Sequence, residues 1–197
     1  TGAGSRLWQQ DQLSSGTEPG DEMGAALAAG DFDGDGYDDL AVGTPLEDVE
    51  GALDAGMVDI IYGSAEGLAV RAGESHGWIQ GTGGVADIPE PDDGFGSALI
   101  TGNFNNDRYA DLAIGVPFEG LLSGGAGSAE APAAGAAHVL FGGPTGLTGD
   151  QSVFLHQGSS GLGDEIEADD RFGWALAAGD FNGDRIEDLV VSVPYED

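Results

Sequence analysis

The 197-residue chain has no cysteine and no lysine, and only five arginines stand against 36 acidic residues. Without cysteine there is neither a disulfide nor thiolate chemistry, and the redox compartment stays open. The formal charge of −31 makes nucleic acid and anionic membrane surfaces poor partners. No run of about 18 apolar residues is present, so membrane insertion is not expected. The opening Thr1-Gly2-Ala3-Gly4 has no basic end and no apolar stretch, so it carries no visible secretion signal. Also missing are a Gly-x-Ser-x-Gly elbow, a His-Glu-x-x-His pair and a phosphate-cradling loop. No catalytic residues are therefore assigned.

Glycine, by contrast, is abundant, at 37 residues, without the strict triplet period of collagen. It points to many tight turns. The sharpest of these is Gly30-Asp31-Phe32-Asp33-Gly34-Asp35-Gly36-Tyr37-Asp38-Asp39-Leu40. Asp31, Asp33, Asp35 and Asp39 stand at loop positions 1, 3, 5 and 9, and Tyr37 at position 7 is placed to offer its backbone carbonyl. Two carboxylates about 4 Å apart repel by roughly 4 kcal/mol at a surface-like dielectric, so a turn that gathers several needs a cation. Oxygen-only ligation selects calcium over zinc or copper.

The loop recurs twice. Asn103, Asn105, Asp107, Tyr109 and Asp111 fill the same positions in a second copy, and Asp180, Asn182, Asp184, Ile186 and Asp188 in a third. Three loops in register imply up to three calcium ions, which would neutralise only six of the negative charges, so most acidic residues are read as solvated surface. Ligand charge falls from loop one to loop three to loop two, and calcium affinity is expected to follow. Arg108 and Arg185 occupy position 6, where glycine adopts the required backbone most easily.

Repetition extends to the flanks. The chain divides into 1–20, a last strand of a preceding blade with its strand at 5–13; 21–82, a blade; 83–160, a second blade; and 161–197, half of a third. The full units each hold four short strands separated by Gly, Pro and Asp turns, which is the pattern of a radially repeated antiparallel sheet. The fold class is all-β, an incomplete ring of about three β-propeller blades. Leu121 to Ala134, rich in Ala, Gly and Ser, reads as a flexible insertion between second and third strands of the middle unit. Ala25–Ala29 and Ala175–Ala178 have helical propensity, but they are short and glycine-bounded and fit the crowded inner strand of a blade.

Phe95-Gly96 and Phe172-Gly173, with Met23-Gly24 as a variant, precede the loops, and Gly43-Thr44-Pro45, Gly115-Val116-Pro117 and Ser192-Val193-Pro194 follow them. These residues resemble the FG-GAP repeat family, found in integrin α-subunit β-propellers and bacterial relatives. The resemblance implies a β-propeller with calcium in the first hairpin of each blade, an extracellular or cell-surface setting, and a role in adhesion or recognition. Such propellers usually have seven blades, so open edges are expected to meet the remainder of a larger propeller or a second copy of the chain.

The rival readings are weaker. An EF-hand needs Glu at position 12, where Val42, Ile114 and Val191 stand. His76, His138 and His156 fall in expected strands, and the matched placement of His76 and His156 in their units reads as architectural. Trp8 and Trp78 match as outer-strand packing residues, and Trp174 is expected to face the neighbouring blade. The alternatives kept open are a self-assembly element and an accessory domain of a larger secreted enzyme. No protein or surface ligand can be named from the sequence.

Overall fold

In the computed structural model, which describes residues 6–13, 16–71, 77–122 and 130–196, each acidic loop turns one strand back antiparallel on the next. Strands β1 (Ala26–Gly30), β2 (Asp39–Thr44), β3 (Met57–Ile61) and β4 (Gly77–Trp78) form one sheet in chain order. The second sheet holds β5 (Ala98–Gly102), β6 (Asp111–Val116), β9 (Ala136–Phe141) and β10 (Thr148–Leu155), again paired in sequence. A third hairpin joins β11 (Leu176–Gly179) to β12 (Asp188–Val191). A Gly–Asp pair closes each hairpin at its loop: Gly30 with Asp39, Gly102 with Asp111, Gly179 with Asp188. The architecture is all-β, built of four-stranded antiparallel blades, and the described residues form no closed ring.

Strands buried on both faces read as continuous apolar runs rather than alternating ones. Leu112-Ala113-Ile114 in β6 is of this kind, and β3 is apolar apart from the buried Asp59; every residue of β3 and β6 is buried. Phe32, Ile60 and Tyr62 of the first blade share one core cluster with Phe95, Leu112 and Leu140 of the second. The core therefore runs across the blade junction. The innermost strands lie side by side, β1 against β5 and β5 against β11.

The junction is also stitched by backbone. Phe95 donates its N–H to Ala55 O at 2.8 Å, and in the next junction Phe172 donates to Ala134 O at 2.9 Å. Gly43 faces the carbonyl of Gly96, and Gly115 that of Gly173, so closely that a Cβ at Gly43 would lie 2.2 Å from the oxygen and one at Gly115 2.1 Å. The two glycine-bearing halves of the repeat thus meet across the junction, one blade's against the next blade's.

Three expectations are corrected. In place of the strand read at 5–13, Gln10–Gln12 form a turn of 3-10 helix, with Leu13 N–H on Gln10 O at 2.9 Å. Gln12 folds its side chain back onto Gln9 N–H at 3.1 Å, which suits a turn and not a ladder. The insertion is not irregular throughout, since Leu121–Leu122 (β7) pairs with Glu130–Ala131 (β8). Leu121, Ala131 and Ala134 supply a small buried cluster beneath it. Among the described residues, the fourth strand of the first blade covers only Gly77–Trp78, and His76 lies outside them.

His138 is fully buried in β9, 4.8 Å ring to ring from Phe154 and 5.6 Å from Phe95. Neither ring nitrogen has a hydrogen-bond partner, and burial lowers its pKa to about 4. It is a neutral core residue. Trp174 meets Phe118 of the preceding blade edge to face at 6.0 Å.

Candidate metal centres

Each loop is built by its own side-chain oxygens. At position 1, Asp31, Asn103 and Asp180 accept the N–H of position 5 at 3.0, 3.1 and 3.1 Å. At position 3, Asp33, Asn105 and Asn182 accept the same N–H at 3.0, 2.9 and 2.8 Å. Position 5, filled by Asp35, Asp107 and Asp184, accepts the N–H of Tyr37, Tyr109 and Ile186 at 2.9, 2.7 and 2.8 Å. Position 9, filled by Asp39, Asp111 and Asp188, accepts the N–H of Phe32, Phe104 and Phe181 at 3.0, 2.8 and 3.0 Å. The same four hydrogen bonds recur in three different sequences. Each acceptor oxygen keeps further lone-pair capacity.

The loops differ where their residues do. Gly36 and Arg185 at position 6 have φ of 93° and 77°, and each donates its N–H to the second oxygen of Asp31 or Asp180 at 3.0 Å. Asn103 has an amide nitrogen where those residues have an oxygen, and it donates instead to Asp107 O at 2.6 Å. Loop two thus lacks the acceptor that draws position 6 into the left-handed region, and Arg108 is not among the positive-φ residues. Arg185 carries the strain expected of it and Arg108 does not.

Position 9 does more than the spacing suggested. Asp39 and Asp111 are fully buried, and their second oxygens take the N–H of Gly63 at 2.8 Å and Gly142 at 3.0 Å, just past β3 and β9. The carboxylate therefore clamps the loop to the third strand. Burial raises Asp39 to about 6 despite these two backbone donors, and raises Asp111 in the same direction. Asp188 is half-buried, and its second oxygen meets only the side chain of Asn182 at 3.2 Å.

Carboxylate oxygens of Asp31, Asp33 and Asp39 converge within 4.8 Å of one another. Asp35 is not in that trio and stands exposed at the loop tip. The guanidinium of Arg71, stacked 3.6 Å over the Tyr62 ring, pairs with Asp33. The spacing gave no hint of Arg71, which lies 38 residues away in the chain. Neighbouring loops are linked as well, because Ala110 N–H reaches Asp31 O at 3.0 Å and Glu187 N–H reaches Asn103 O at 3.2 Å. The three centres lie in one row at the same end of the blades. The all-oxygen donors of loop one, convergent and partly buried, fit a hard divalent cation.

A second acidic group lies at the opposite end. Glu119, after β6, is fully buried, and its nearest carboxylate neighbours include Glu90 and Asp93. Burial, with Asp93 and Asp87 adding repulsion, pushes Glu119 up to about 9, and burial raises Asp93 to about 7. These residues were missed in the sequence, although Glu47, Glu119 and Glu196 repeat in step with the loops.

Four-stranded antiparallel blades, locked through Phe-Gly segments and carrying an oxygen-lined first hairpin, define a run of β-propeller blades. A family model for the FG-GAP repeat matches residues 23–61, 95–140 and 172–197, more than half of the sequence. The chain belongs to the FG-GAP repeat family. It is similar to phosphatidylinositol-glycan-specific phospholipase D of Bos taurus, 34% identical over 184 residues that make up 90% of this chain and 19% of that protein. Its likeness to the Homo sapiens phospholipase D is 33% over 180 residues, 88% of this chain and 19% of the relative. Integrin alpha-PS2 of Drosophila melanogaster is 31% identical over 189 residues, 93% of this chain and 12% of the integrin. The chain thus spans less than a fifth of the length of these relatives.

Proposed function

We propose that the chain is a calcium-stabilised, non-catalytic recognition or adhesion module of an extracellular or cell-surface protein, with one calcium ion in each hairpin loop. The observation that carries this reading is the set of four hydrogen bonds common to all three loops, which holds the oxygens of positions 1, 3, 5 and 9 in the same places. The ion neutralises crowded oxygens, so its binding free energy adds to folding. Affinity follows formal ligand charge in the order loop one, loop three, loop two. Sites of this charge load near the ~10⁻⁴–10⁻³ M calcium of extracellular modules. No helix among the described residues is long and apolar enough to cross a membrane.

Thermal melting in calcium and in chelator tests this reading. At 1 mM free calcium each loop contributes about 0.4 to 1.4 kcal/mol for dissociation constants in that range. A rise of roughly 3 °C or more is expected over the three loops. Identical melting curves in both conditions would contradict it. Likeness to an enzyme supports a role as accessory domain of a larger secreted protein, with the chemistry elsewhere. Incubating this chain with a phosphatidylinositol-glycan substrate is expected to give no cleavage, and turnover would overturn the non-catalytic reading.

A second reading concerns assembly, and one observation favours it. The aromatic at loop position 2 is fully buried in the first blade as Phe32, half-buried as Phe104, and 66% exposed as Phe181. Beside Phe181, Val190 is 48% exposed on β12, which pairs only with β11 among the described residues. This face suits a further blade, from the remainder of a propeller or from a second copy. Sedimentation of the chain at rising concentration is expected to show association that Phe181→Ser weakens. A monomer at every concentration would remove the second-copy form of this reading.

A further inference from the structure

Besides the loops, the repeats share a second pattern: a glutamine, then Glu-x-x-Asp, then Pro-x-Glu. At the junction of the first and second blades these are Gln80, Glu90, Asp93 and Glu119. Carboxylate oxygens of Glu90, Asp93 and Glu119 gather within 4.8 Å of one another, and Asp93 and Glu119 are at most 2% exposed. Gln80, 1% exposed, donates its amide N–H to Glu119 Oε2 at 2.5 Å. This pins the planar amide against the carboxylates, yet its own oxygen, Oε1, has no hydrogen-bond partner, and neither does Glu119 Oε1.

The next junction repeats the arrangement. Glu167, Asp170 and Glu196 also converge within 4.8 Å. Gln157, 3% exposed, donates its amide to Glu196, and Gln157 Oε1 and Asp170 Oδ2 are left without partners. A buried amide oxygen with nothing to accept from is costly, and so is a buried carboxylate oxygen left without a partner. One such group is an accident of packing. Two in equivalent places, each with an orphaned buried amide oxygen beside three converging carboxylates, are a site.

We propose that Gln80, Glu90, Asp93 and Glu119, with their counterparts Gln157, Glu167, Asp170 and Glu196, form a second row of divalent-cation sites, at the end of the blades opposite the hairpin loops. Three carboxylate oxygens and an amide oxygen are a hard donor set, suited to calcium or to magnesium. The ion enters from a cavity of about 530 Å³ that Glu90 and Asp93 line together with Phe118 and Pro132. Gln80 follows the last strand of one blade, and Glu119 follows β6 of the next. An ion held by both closes the junction at the end that the loop ions do not reach.

Native mass spectrometry and calorimetric titration of the whole chain with calcium alone and magnesium alone test this. The unmodified chain is expected to bind one ion at each of the two junctions besides those in the loops. Glu119→Gln with Glu196→Gln should abolish these two and leave the loop ions. Asp35→Asn, Asp107→Asn and Asp184→Asn together should weaken the loop ions and leave the junction ions, so the two rows fail independently. Whichever metal saturates the sites lost in the Glu119/Glu196 variant is the ligand. Should that variant fold poorly, anomalous density from manganese in crystals of the unmodified chain reads the same sites directly. Unchanged stoichiometry in the double variant, or manganese peaks confined to the hairpins, would overturn the proposal.

Discussion

Gly115→Ala is expected to destabilise the chain by more than about 3 kcal/mol, in the upper range of overpacking effects. The new Cβ would stand 2.1 Å from Gly173 O and 3.1 Å from the Cβ of Ala98. The obstructing atom is backbone, held by Phe172 N–H on Ala134 O at 2.9 Å and Gly173 N–H on Ser192 O at 3.1 Å, so it cannot swing aside as a side chain would. Because Gly115 lies outside the positive-φ region, alanine meets no backbone penalty there and the loss isolates the junction. Gly43→Ala should behave alike, against Gly96 O at 2.2 Å. Gly16→Ala, with nothing within 4 Å of its Cβ position, is the control and should fall within about 0.5 kcal/mol of the parent. Urea unfolding measures all three. A loss under about 1 kcal/mol for Gly115→Ala would mean that the blades are not docked through these glycines. Serine is tolerated at the matching position 192, where its Oγ accepts Ala175 N–H at 2.9 Å.

Asp39→Ala is expected to cost about 3 to 6 kcal/mol in calcium. Two N–H groups, of Phe32 at 3.0 Å and Gly63 at 2.8 Å, lose their acceptor at a fully buried position. Each orphaned donor costs about 1–3 kcal/mol, and one loop's share of calcium stabilisation goes with them. Asp39→Asn keeps one acceptor oxygen and should lie between the parent and the alanine variant. Asp188→Ala should lose only about 1 to 2 kcal/mol in calcium, its loop's calcium share included, because its oxygens meet one loop N–H and an exposed Asn182. Chemical unfolding with and without calcium separates the two parts. Equal losses at 39 and 188 would contradict the clamp to the third strand.

Much of this was legible in the residues. The 1, 3, 5, 9 spacing placed the loops, and the hydrogen bonds that build them are local, running between residues at most seven apart. The blades followed from repetition, because β2 and β6 carry the same short apolar runs between the same turns. What sequence could not supply is non-local. Arg71 meets Asp33 only because the chain returns past Tyr62, and Gly63 meets Asp39 only when β3 is in place. Segment 5–13 read as the last strand of a preceding blade, but a strand needs a neighbour, and Gln9 and Gln12 close a turn locally instead. The junction carboxylates went unread because acidic residues are everywhere in this chain, and only the recurrence of Gln80 and Gln157 marks those that matter.

The central claim is that calcium occupies the three hairpins, and anomalous scattering from crystals of this chain grown in calcium tests it most directly. The account predicts a peak in each loop, at about 2.3–2.6 Å from the oxygens of positions 1, 3, 5 and 9 and from the carbonyl of position 7. Loops that hold only water at saturating calcium, with Arg71 still paired to Asp33, would contradict it.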